Sequence, residues 1–252
     1  MTLKNKHAVV TGGGSGVGEA IALKLAENSS LVTILGRRDK PLKKVSAKHK
    51  NINWRVCNVS SSEEVESCYN DIRSEYGNIN IVIANAGIAS SKPFHKMSVQ
   101  DITSLIDVNL IGVFNSFQHA LTDMKSDKWG RMISIASTAG LKGYSYVSAY
   151  SASKHAVIGL TKSLALELAN KGITVNSICP SYVDTPMTDR TIKNITEITN
   201  ISEEDAISEL VKSNPQKRLI KPIEIAEVVS WLCGKHSDSI NGQNIPVSGG
   251  EI

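Results

Sequence analysis

The chain has 252 residues, of which 41% are hydrophobic, and a formal net charge of +4 at pH 7. This length is enough to bury one sizeable core, and no apolar run approaches the roughly 20 residues that span a bilayer. Because the N-terminus also lacks the apolar segment and cleavage site of a secretory signal, we expect a single cytoplasmic domain over residues 1–252 without a membrane partner.

Short β-branched runs alternate along the chain with segments of helical apolar spacing. This alternation is typical of βαβ units with right-handed crossovers and a parallel sheet. Apolar residues at helical spacing predict helices at residues 16–27 and 147–170. Seven strands are predicted, at residues 8–11, 31–35, 52–56, 79–84, 131–136, 173–178 and 244–247. The sequence therefore predicts an α/β fold built on a seven-stranded parallel sheet.

A glycine-rich turn follows the first predicted strand and opens directly into a helix. Residues 11–18 read Thr-Gly-Gly-Gly-Ser-Gly-Val-Gly. Glycines permit positive φ and close approach of the backbone to a pyrophosphate, and a helix N-terminus offers free N–H groups and partial positive charge. Because strand, turn and helix follow in this order, a bound dinucleotide is favoured over a connector without a ligand.

The end of the second strand indicates which dinucleotide is bound. An acidic residue there usually binds the adenosine ribose, but this chain has Gly36 followed by Arg37 and Arg38. A carboxylate would repel a 2′-phosphate, whereas a guanidinium binds it through charge-assisted hydrogen bonds. We therefore expect NADP(H) to be preferred over NAD(H). The alternative is that both arginines face solvent beside Asp39.

Tyr150 and Lys154 lie four residues apart on a predicted helix, so their side chains project from one face. A tyrosine has a pKa of about 10 and is a poor base at neutral pH. A neighbouring ammonium, together with a cationic nicotinamide, favours the phenolate and makes the residue a usable acid or base. An isolated pair of this kind is more often an ordinary surface pair, and only its context favours catalysis.

That context resembles the short-chain dehydrogenase/reductase family over nearly the whole chain. The resemblance lies in the pattern Thr-Gly-x-x-x-Gly-x-Gly at 11–18, Asn-Ala-Gly at 85–87, Asn109, Ser137, Tyr-Ser-Ala-Ser-Lys at 150–154 and the segment 179–186. It implies a single-domain, Rossmann-type, doubly wound sheet with helices on both faces. Residues 186–214, rich in Thr, Asn and Ile, are expected to form a small mobile lid over the site, with a helix start at Ser202.

The resemblance also assigns roles. Tyr150 is the implied proton donor or acceptor, Lys154 binds the nicotinamide ribose, Ser137 polarises the substrate oxygen, and Asn109 holds a water in the proton path. Position after the fifth strand favours Ser137 over Ser134. The implied cofactor-binding residues are Gly12, Gly14, Ser15, Gly16, Val17, Gly18, Arg37, Arg38, Asn58, Val59, Asn85, Ala86, Gly87, Tyr150, Lys154, Pro180, Val183 and Thr185.

Two positions near the implied cofactor depart from the family pattern. Asn58 stands where the family usually has an Asp near the adenine, and its amide still offers a donor and an acceptor. Ser181 replaces the usual Gly after Pro180, so the backbone there is less free to adopt positive φ.

Cysteine, histidine and lysine positions disfavour other kinds of site. Four scattered cysteines are expected to be reduced packing residues. Six histidines without metal-ligand spacing predict metal-free chemistry. The basic run formed by Lys40, Lys43, Lys44, Lys48 and Lys50 has no interleaved aromatic residues, which favours a solvated helix face over a nucleic-acid partner.

The substrate is indicated by resemblance alone. Residues 133–143, 150–159 and 172–180 are similar to those of 3-oxoacyl-thioester reductases and polyketide ketoreductases, which implies reduction of a 3-oxoacyl thioester on acyl carrier protein or CoA. Residues 214–219 and 247–252 also resemble hydroxyacyl-CoA dehydrogenases, so oxidation of a 3-hydroxyacyl-CoA stays open. So does dehydrogenation of an alcohol, sugar or steroid with NAD.

Two further expectations come from the family. A non-catalytic NADP(H) sensor is disfavoured because such proteins lose the tyrosine or the lysine. The family usually forms homotetramers through long helices, which here correspond to residues 101–124 and 147–170.

Overall fold

A seven-stranded parallel sheet forms the centre of the computed structural model, which describes residues 3–252. Its order is β3-β2-β1-β4-β5-β6-β7. The strands are β1 His7–Thr11, β2 Leu31–Gly36, β3 Ile52–Val56, β4 Ile81–Ala84, β5 Gly130–Ile135, β6 Ile173–Pro180 and β7 Asn244–Val247. The prediction of a parallel seven-stranded sheet is confirmed, with strand ends displaced by at most two residues.

Helices cover both faces of this sheet, which confirms the doubly wound Rossmann-type fold. They are α1 Gly16–Glu27, α2 Asp39–Ser46, α3 Ser62–Tyr76, α4 Val99–Ile106, α5 Gly112–Asp127, α6 Ser148–Leu168, α7 Pro186–Thr199, α8 Glu203–Leu210 and α9 Pro222–Leu232. One buried core joins the sheet to α1, α2 and α9, and a second joins it to α3, α5 and α6. The strands read as nearly continuous apolar runs because both faces are buried.

The helix expected over residues 101–124 begins two residues earlier and is interrupted. Ser98 caps α4 in a reciprocal capping box with Asp101. A π-helical turn, Asp107–Ile111, then separates α4 from α5. Such turns occur mostly as single insertions inside α-helices, frequently at functional sites. The spacing of apolar residues does not reveal this π-helical turn, because α4 and α5 bury the same face on either side of it.

The strand order reverses between β1 and β4, and this position decides where a ligand binds. In open α/β sheets the crevice lies outside the carboxyl ends of the strands at such a reversal. The Thr11 hydroxyl, at the end of β1, accepts hydrogen bonds from the backbone N–H groups of Asn85 (3.0 Å) and Ala86 (2.9 Å), just after β4. The glycine-rich turn and the Asn-Ala-Gly segment therefore lie together at the reversal.

Residues 186–214, the expected lid, consist mainly of two helices rather than irregular chain. Thr185 caps α7 by accepting the N–H of Thr188, and Ser202 caps α8 by accepting the N–H of Asp205. The helix start expected at Ser202 is therefore present, and movement of this segment stays a prediction.

The cysteines and the lysines of the basic run differ in their exposure. All four cysteines are buried and unpaired. The five lysines of the basic run are exposed, on and just after α2. Within residues 3–252 no helix is both long enough and apolar enough to cross a bilayer.

Candidate active site

The glycine turn has the geometry of an anion cradle. Gly12 and Gly16 have positive φ, +66° and +56°. A Cβ on Gly18 would lie 2.4 Å from the carbonyl oxygen of Gly12, so the start of α1 packs too closely on the turn for any side chain. Ser15 makes no side-chain capping bond to α1. The N-terminus of α1 therefore faces the crevice with positive partial charge that suits a pyrophosphate.

Asn85 supports this turn from behind. Its amide nitrogen donates to the carbonyl oxygens of Thr11 (2.9 Å) and Gly12 (3.3 Å). Both amide hydrogens of Asn85 are therefore committed to the protein, and its expected contact with the cofactor stays a prediction. Thr11, which links both strand ends, was not among the expected site residues. Thr11 could have been identified from the sequence, because it is the first residue of the glycine motif.

At the far end of the crevice, Arg37 and Arg38 are exposed beyond the end of β2. They line an open depression together with Pro41 and Val56. The neighbouring carboxylate of Asp39 pairs with Lys43 at 3.0 Å, and within residues 3–252 neither arginine forms an ion pair. Both guanidinium groups are therefore available to an anion.

Asn58 lies on the loop after β3, and its side-chain oxygen accepts the N–H of Ser60 at 3.3 Å. Its side-chain NH₂ group is left for a ligand. The next residue, Val59, is buried, and its carbonyl accepts a hydrogen bond from Asn115 of α5 at 2.9 Å. The expected adenine loop is therefore fastened to the helix that follows the π-helical turn.

Lys154 is a buried ammonium at the centre of the site. It is 5% exposed, and its Nζ donates to the carbonyl oxygen of Ile135 at 2.8 Å. Nζ also lies 5.7 Å from the ring centroid of Tyr150, so the structure brings this predicted pair together. Burial lowers the pKa of Lys154 to about 8, although interaction with the Cys179 thiol opposes the shift.

The lowered pKa predicted for Tyr150 applies to a complex with oxidised nicotinamide and stays a prediction. Burial raises its pKa to about 12, with the Ser137 hydroxyl opposing the shift. In the protein alone, desolvation of the phenolate is the largest cause of this shift, and interaction with Tyr182 adds to it. Tyr150 is therefore a protonated phenol at neutral pH, which is the form of a proton donor.

Ser137 lies at the start of a 3₁₀ turn directly after β5. Its hydroxyl accepts the N–H of Ala139 at 3.1 Å and donates to the carbonyl oxygen of Pro180 at 3.4 Å. Ser134, the alternative, is fully buried and bonded to Ser177 at 2.6 Å. The structure thus places Ser137, and not Ser134, beside Tyr150.

Asn109 connects the π-helical turn to α6, the helix that carries Tyr150 and Lys154. Its amide nitrogen donates to the carbonyl oxygen of Ile88 (3.0 Å) and to the hydroxyl of Ser153 (3.0 Å), and its oxygen accepts the N–H of Ile88 (2.9 Å). Ser153 in turn donates to the carbonyl oxygen of Tyr150 at 2.7 Å. One lone pair on the amide oxygen is left for the expected water. Ser153 was not predicted from the sequence.

The loop after β6 closes the crevice against the glycine turn. A Cβ on Gly16 would lie 3.0 Å from the methyl group of Thr185, so the two loops are in contact. Val183 pairs with Ile220 in an isolated bridge. Ser181 does not have positive φ, so its replacement of the family's usual glycine causes no backbone strain. No cluster of three metal-ligating side chains occurs within residues 3–252.

Comparison with known proteins gives consistent matches over the whole chain. The family model described as short chain dehydrogenase matches residues 6–196. A putative ketoacyl reductase of Streptomyces coelicolor is 33% identical, covering 99% of this chain and 98% of its own length. The 3-oxoacyl-(acyl-carrier-protein) reductase FabG of Staphylococcus epidermidis is 33% identical over 98% of both chains.

Among solved structures, a variant of actinorhodin polyketide ketoreductase crystallised with NADPH is similar to this chain. The TM-score is 0.95 and the identity 32%, over 100% of this chain and 99% of that one.

Replacing Lys154 with methionine tests the cost of its burial. An ordinary lysine has a pKa of 10.5 and this one about 8, so the unfolded state binds more protons between those values and wild-type stability rises with pH there. Below pH 8 the penalty is about 3 kcal/mol. We expect Lys154→Met to raise the free energy of unfolding at pH 7, and its advantage over wild type to shrink by pH 9.5.

Urea unfolding of both proteins at the two pH values measures this difference. Lys171→Met, which removes an exposed lysine, is the control and should show no such trend. A Lys154→Met effect that is equal at both pH values would contradict the assigned titration.

Proposed function

The chain belongs to the short-chain dehydrogenase family, and we propose that it is an NADP(H)-dependent reductase that converts a 3-oxoacyl thioester to the 3-hydroxyacyl form. Oxidoreductase chemistry on a carbonyl or hydroxyl group with a nicotinamide cofactor follows from the family. The observation that carries the proposal is the pairing of half-buried Tyr150 with buried Lys154 beside Ser137, at the carboxyl ends of the strands that form the glycine-lined crevice.

The residues of the crevice fit a dinucleotide. The positive φ of Gly12 and Gly16 and the absence of a Cβ at Gly18 leave room for a pyrophosphate at the start of α1. A dinucleotide held there by its pyrophosphate would supply the hydride for reduction from its nicotinamide. The carbonyl of Ile135 holds Lys154, and the proposed role of Lys154 in binding the nicotinamide ribose is supported by the family resemblance.

The charge state of Tyr150 identifies it as the source of the proton that the substrate oxygen receives. Its raised pKa keeps the phenol protonated, so it can donate to the substrate oxygen. The Ser137 hydroxyl has one proton, which turns from the carbonyl of Pro180 to donate a hydrogen bond to the same oxygen. The ammonium of Lys154 stabilises the phenolate that remains after transfer. In the reverse direction the same phenolate accepts the proton of an alcohol.

A thioester substrate is supported by the printed names of the relatives, a ketoacyl reductase and a 3-oxoacyl carrier-protein reductase. The alternatives are oxidation of a 3-hydroxyacyl-CoA and dehydrogenation of an alcohol, sugar or steroid with NAD. NADPH consumption measured over acetoacetyl-CoA, longer 3-oxoacyl thioesters, simple ketones and quinones distinguishes them. Activity on ketones alone would overturn the thioester assignment. A sensor without turnover is disfavoured because Asn109, Ser137, Tyr150 and Lys154 are all present.

We further propose that the protein works in the cytoplasm as a homotetramer, without nucleic-acid or membrane partners. Exposed apolar side chains on the π-helical turn, α4, α5 and α6 support the assembly. They are Val99, Ile102, Ile111, Phe114 and Leu166, and Leu166 is 84% exposed. Apolar patches of this kind commonly mark protein interfaces.

Replacing Tyr150 with phenylalanine removes only the transferable proton. We expect turnover to fall by roughly 10³-fold or more, while NADPH affinity stays within about twofold, because general acid catalysis contributes about 10²- to 10⁴-fold. Steady-state kinetics and fluorescence titration with NADPH measure the two effects. Wild-type rates in this variant would refute the role of Tyr150.

Arg37→Asp tests the 2′-phosphate assignment. Loss of a charge-assisted bond and gain of a repelling carboxylate should lower NADPH affinity by about 10- to 100-fold and shift the ratio of specificity constants toward NADH. Lys44→Asp, an equal charge change at an exposed position on α2, is the control. If Arg37→Asp leaves the ratio unchanged, the assignment is wrong.

Light scattering tests the assembly. A homotetramer gives four times the chain mass of 27.2 kDa. Leu166→Glu should then reduce the measured mass, because it places a charge in an apolar contact. A wild-type monomer would contradict the proposal.

A further inference from the structure

A buried carboxylate from the end of the chain lies beside the proposed active site. The side chain of Glu251 is only 3% exposed. One of its oxygens lies 2.5 Å from the Tyr144 hydroxyl and 3.0 Å from the ammonium of Lys142, and the other accepts the hydroxyl proton of Ser181. Buried carboxylates are rare unless they are paired and hydrogen-bonded.

The backbone before Glu251 is shaped to bring it there. Gly249 and Gly250 have φ of +63° and +92°, a conformation that L side chains rarely adopt. A Cβ on Gly249 would lie 2.2 Å from the side-chain oxygen of Asn214, so the turn packs tightly against the end of the expected lid. This tight turn directs residue 251 back toward the site.

The charge of Glu251 is maintained in its position. Burial raises its pKa, but hydrogen bonds from Ser181, Tyr144 and Lys142 outweigh burial, and the net direction is downward. Glu251 is therefore a carboxylate at neutral pH and acts only as an acceptor. It takes the single proton of Tyr144, so the Thr138 hydroxyl, 2.7 Å from that phenol oxygen, donates to Tyr144.

Both hydrogen-bonded routes from Glu251 end at Ser137. Through Tyr144, the carboxylate holds Thr138, the next residue to Ser137. Through Ser181, it holds the residue that follows Pro180, whose carbonyl accepts the Ser137 hydroxyl at 3.4 Å. The serine found in place of the family's usual glycine thus supplies one of these two routes.

We propose that Glu251 is a positioning residue of the active site, which fixes the loops before and after Ser137 so that its hydroxyl faces the substrate oxygen. This inference rests on the proposed function, because turnover is its main readout. It assigns to the C-terminal segment a part in the reaction and explains why Ser181 and Tyr144 lie where they do.

Three variants test the proposal. Glu251→Ala removes both routes, and we expect kcat to fall by roughly 10- to 100-fold, since small displacements of a catalytic group have effects of that order. NADPH affinity should stay within about twofold. Glu251→Gln should recover most of kcat, because the amide oxygen still accepts from Tyr144 and the Ser181 hydroxyl can turn to accept from the NH₂ group. The double variant Glu251→Ala/Ser181→Ala should have nearly the same kcat as Glu251→Ala alone, because Glu251→Ala already removes the route through Ser181.

Ile252→Ala is the matched control, because it alters the same tail at a side chain that is 48% exposed. Its kcat should equal that of wild type. An unchanged kcat in Glu251→Ala, or equal losses in Glu251→Ala and Glu251→Gln, would overturn the proposal. If Glu251→Ala does not fold, Ser181→Ala combined with Tyr144→Phe, which removes both routes, decides instead: a lowered kcat with unchanged NADPH affinity supports the inference, and an unchanged kcat refutes it.

Hydrogen exchange separates this inference from the proposed function. Amides of residues 138–144 should exchange faster in Glu251→Ala than in wild type, whether or not the assayed thioesters are substrates. Unchanged exchange there would refute the positioning role. Absence of wild-type turnover on any 3-oxoacyl thioester would refute the proposed function alone.

Discussion

The hydroxyl of Thr11 is the point on which the site depends. It accepts the N–H groups of Asn85 and Ala86 and so joins the ends of β1 and β4, the two strands between which the sheet order reverses. Asn85 completes the junction by donating to the backbone of the glycine turn. Beyond the last paired residues of β1 and β4, Val10 and Ile83, this junction holds the glycine turn against the Asn-Ala-Gly segment.

A second set of contacts holds α6 in place although this helix carries the buried ammonium of Lys154. Burial removes the ammonium of Lys154 from water. Its one hydrogen bond, to the carbonyl of Ile135, compensates only in part for the lost solvation. The bonds from Ile88 through Asn109 and Ser153 to the backbone of Tyr150 fix the start of α6 from the opposite side. Perturbed pKa values on two residues one turn apart are typical of sites where environment sets acid and base roles.

Local pattern was sufficient to predict the sheet, whereas most of the expected site residues came from the family resemblance. Alternation of apolar runs with helical spacing is set by burial on both faces, so all seven strands could be located from it. The π-helical turn could not be, because it leaves the apolar face of α4 and α5 unchanged. The pKa of Tyr150 could not either, since desolvation depends on what covers the ring. Glu251 is the clearest case, because its role requires two positive-φ glycines and partners at least 70 residues away on other loops. Periodicity encodes none of these.

The central claim is that this crevice moves hydride from a nicotinamide to a carbonyl carbon while a protein phenol supplies the proton to its oxygen. Mass spectrometry of the product formed from acetoacetyl-CoA tests it most directly, with NADPH carrying deuterium at both C4 positions. The account predicts one deuterium on the carbon that bore the carbonyl, and none at that carbon when unlabelled NADPH is used in D₂O. Product that forms without deuterium from the labelled cofactor would contradict it.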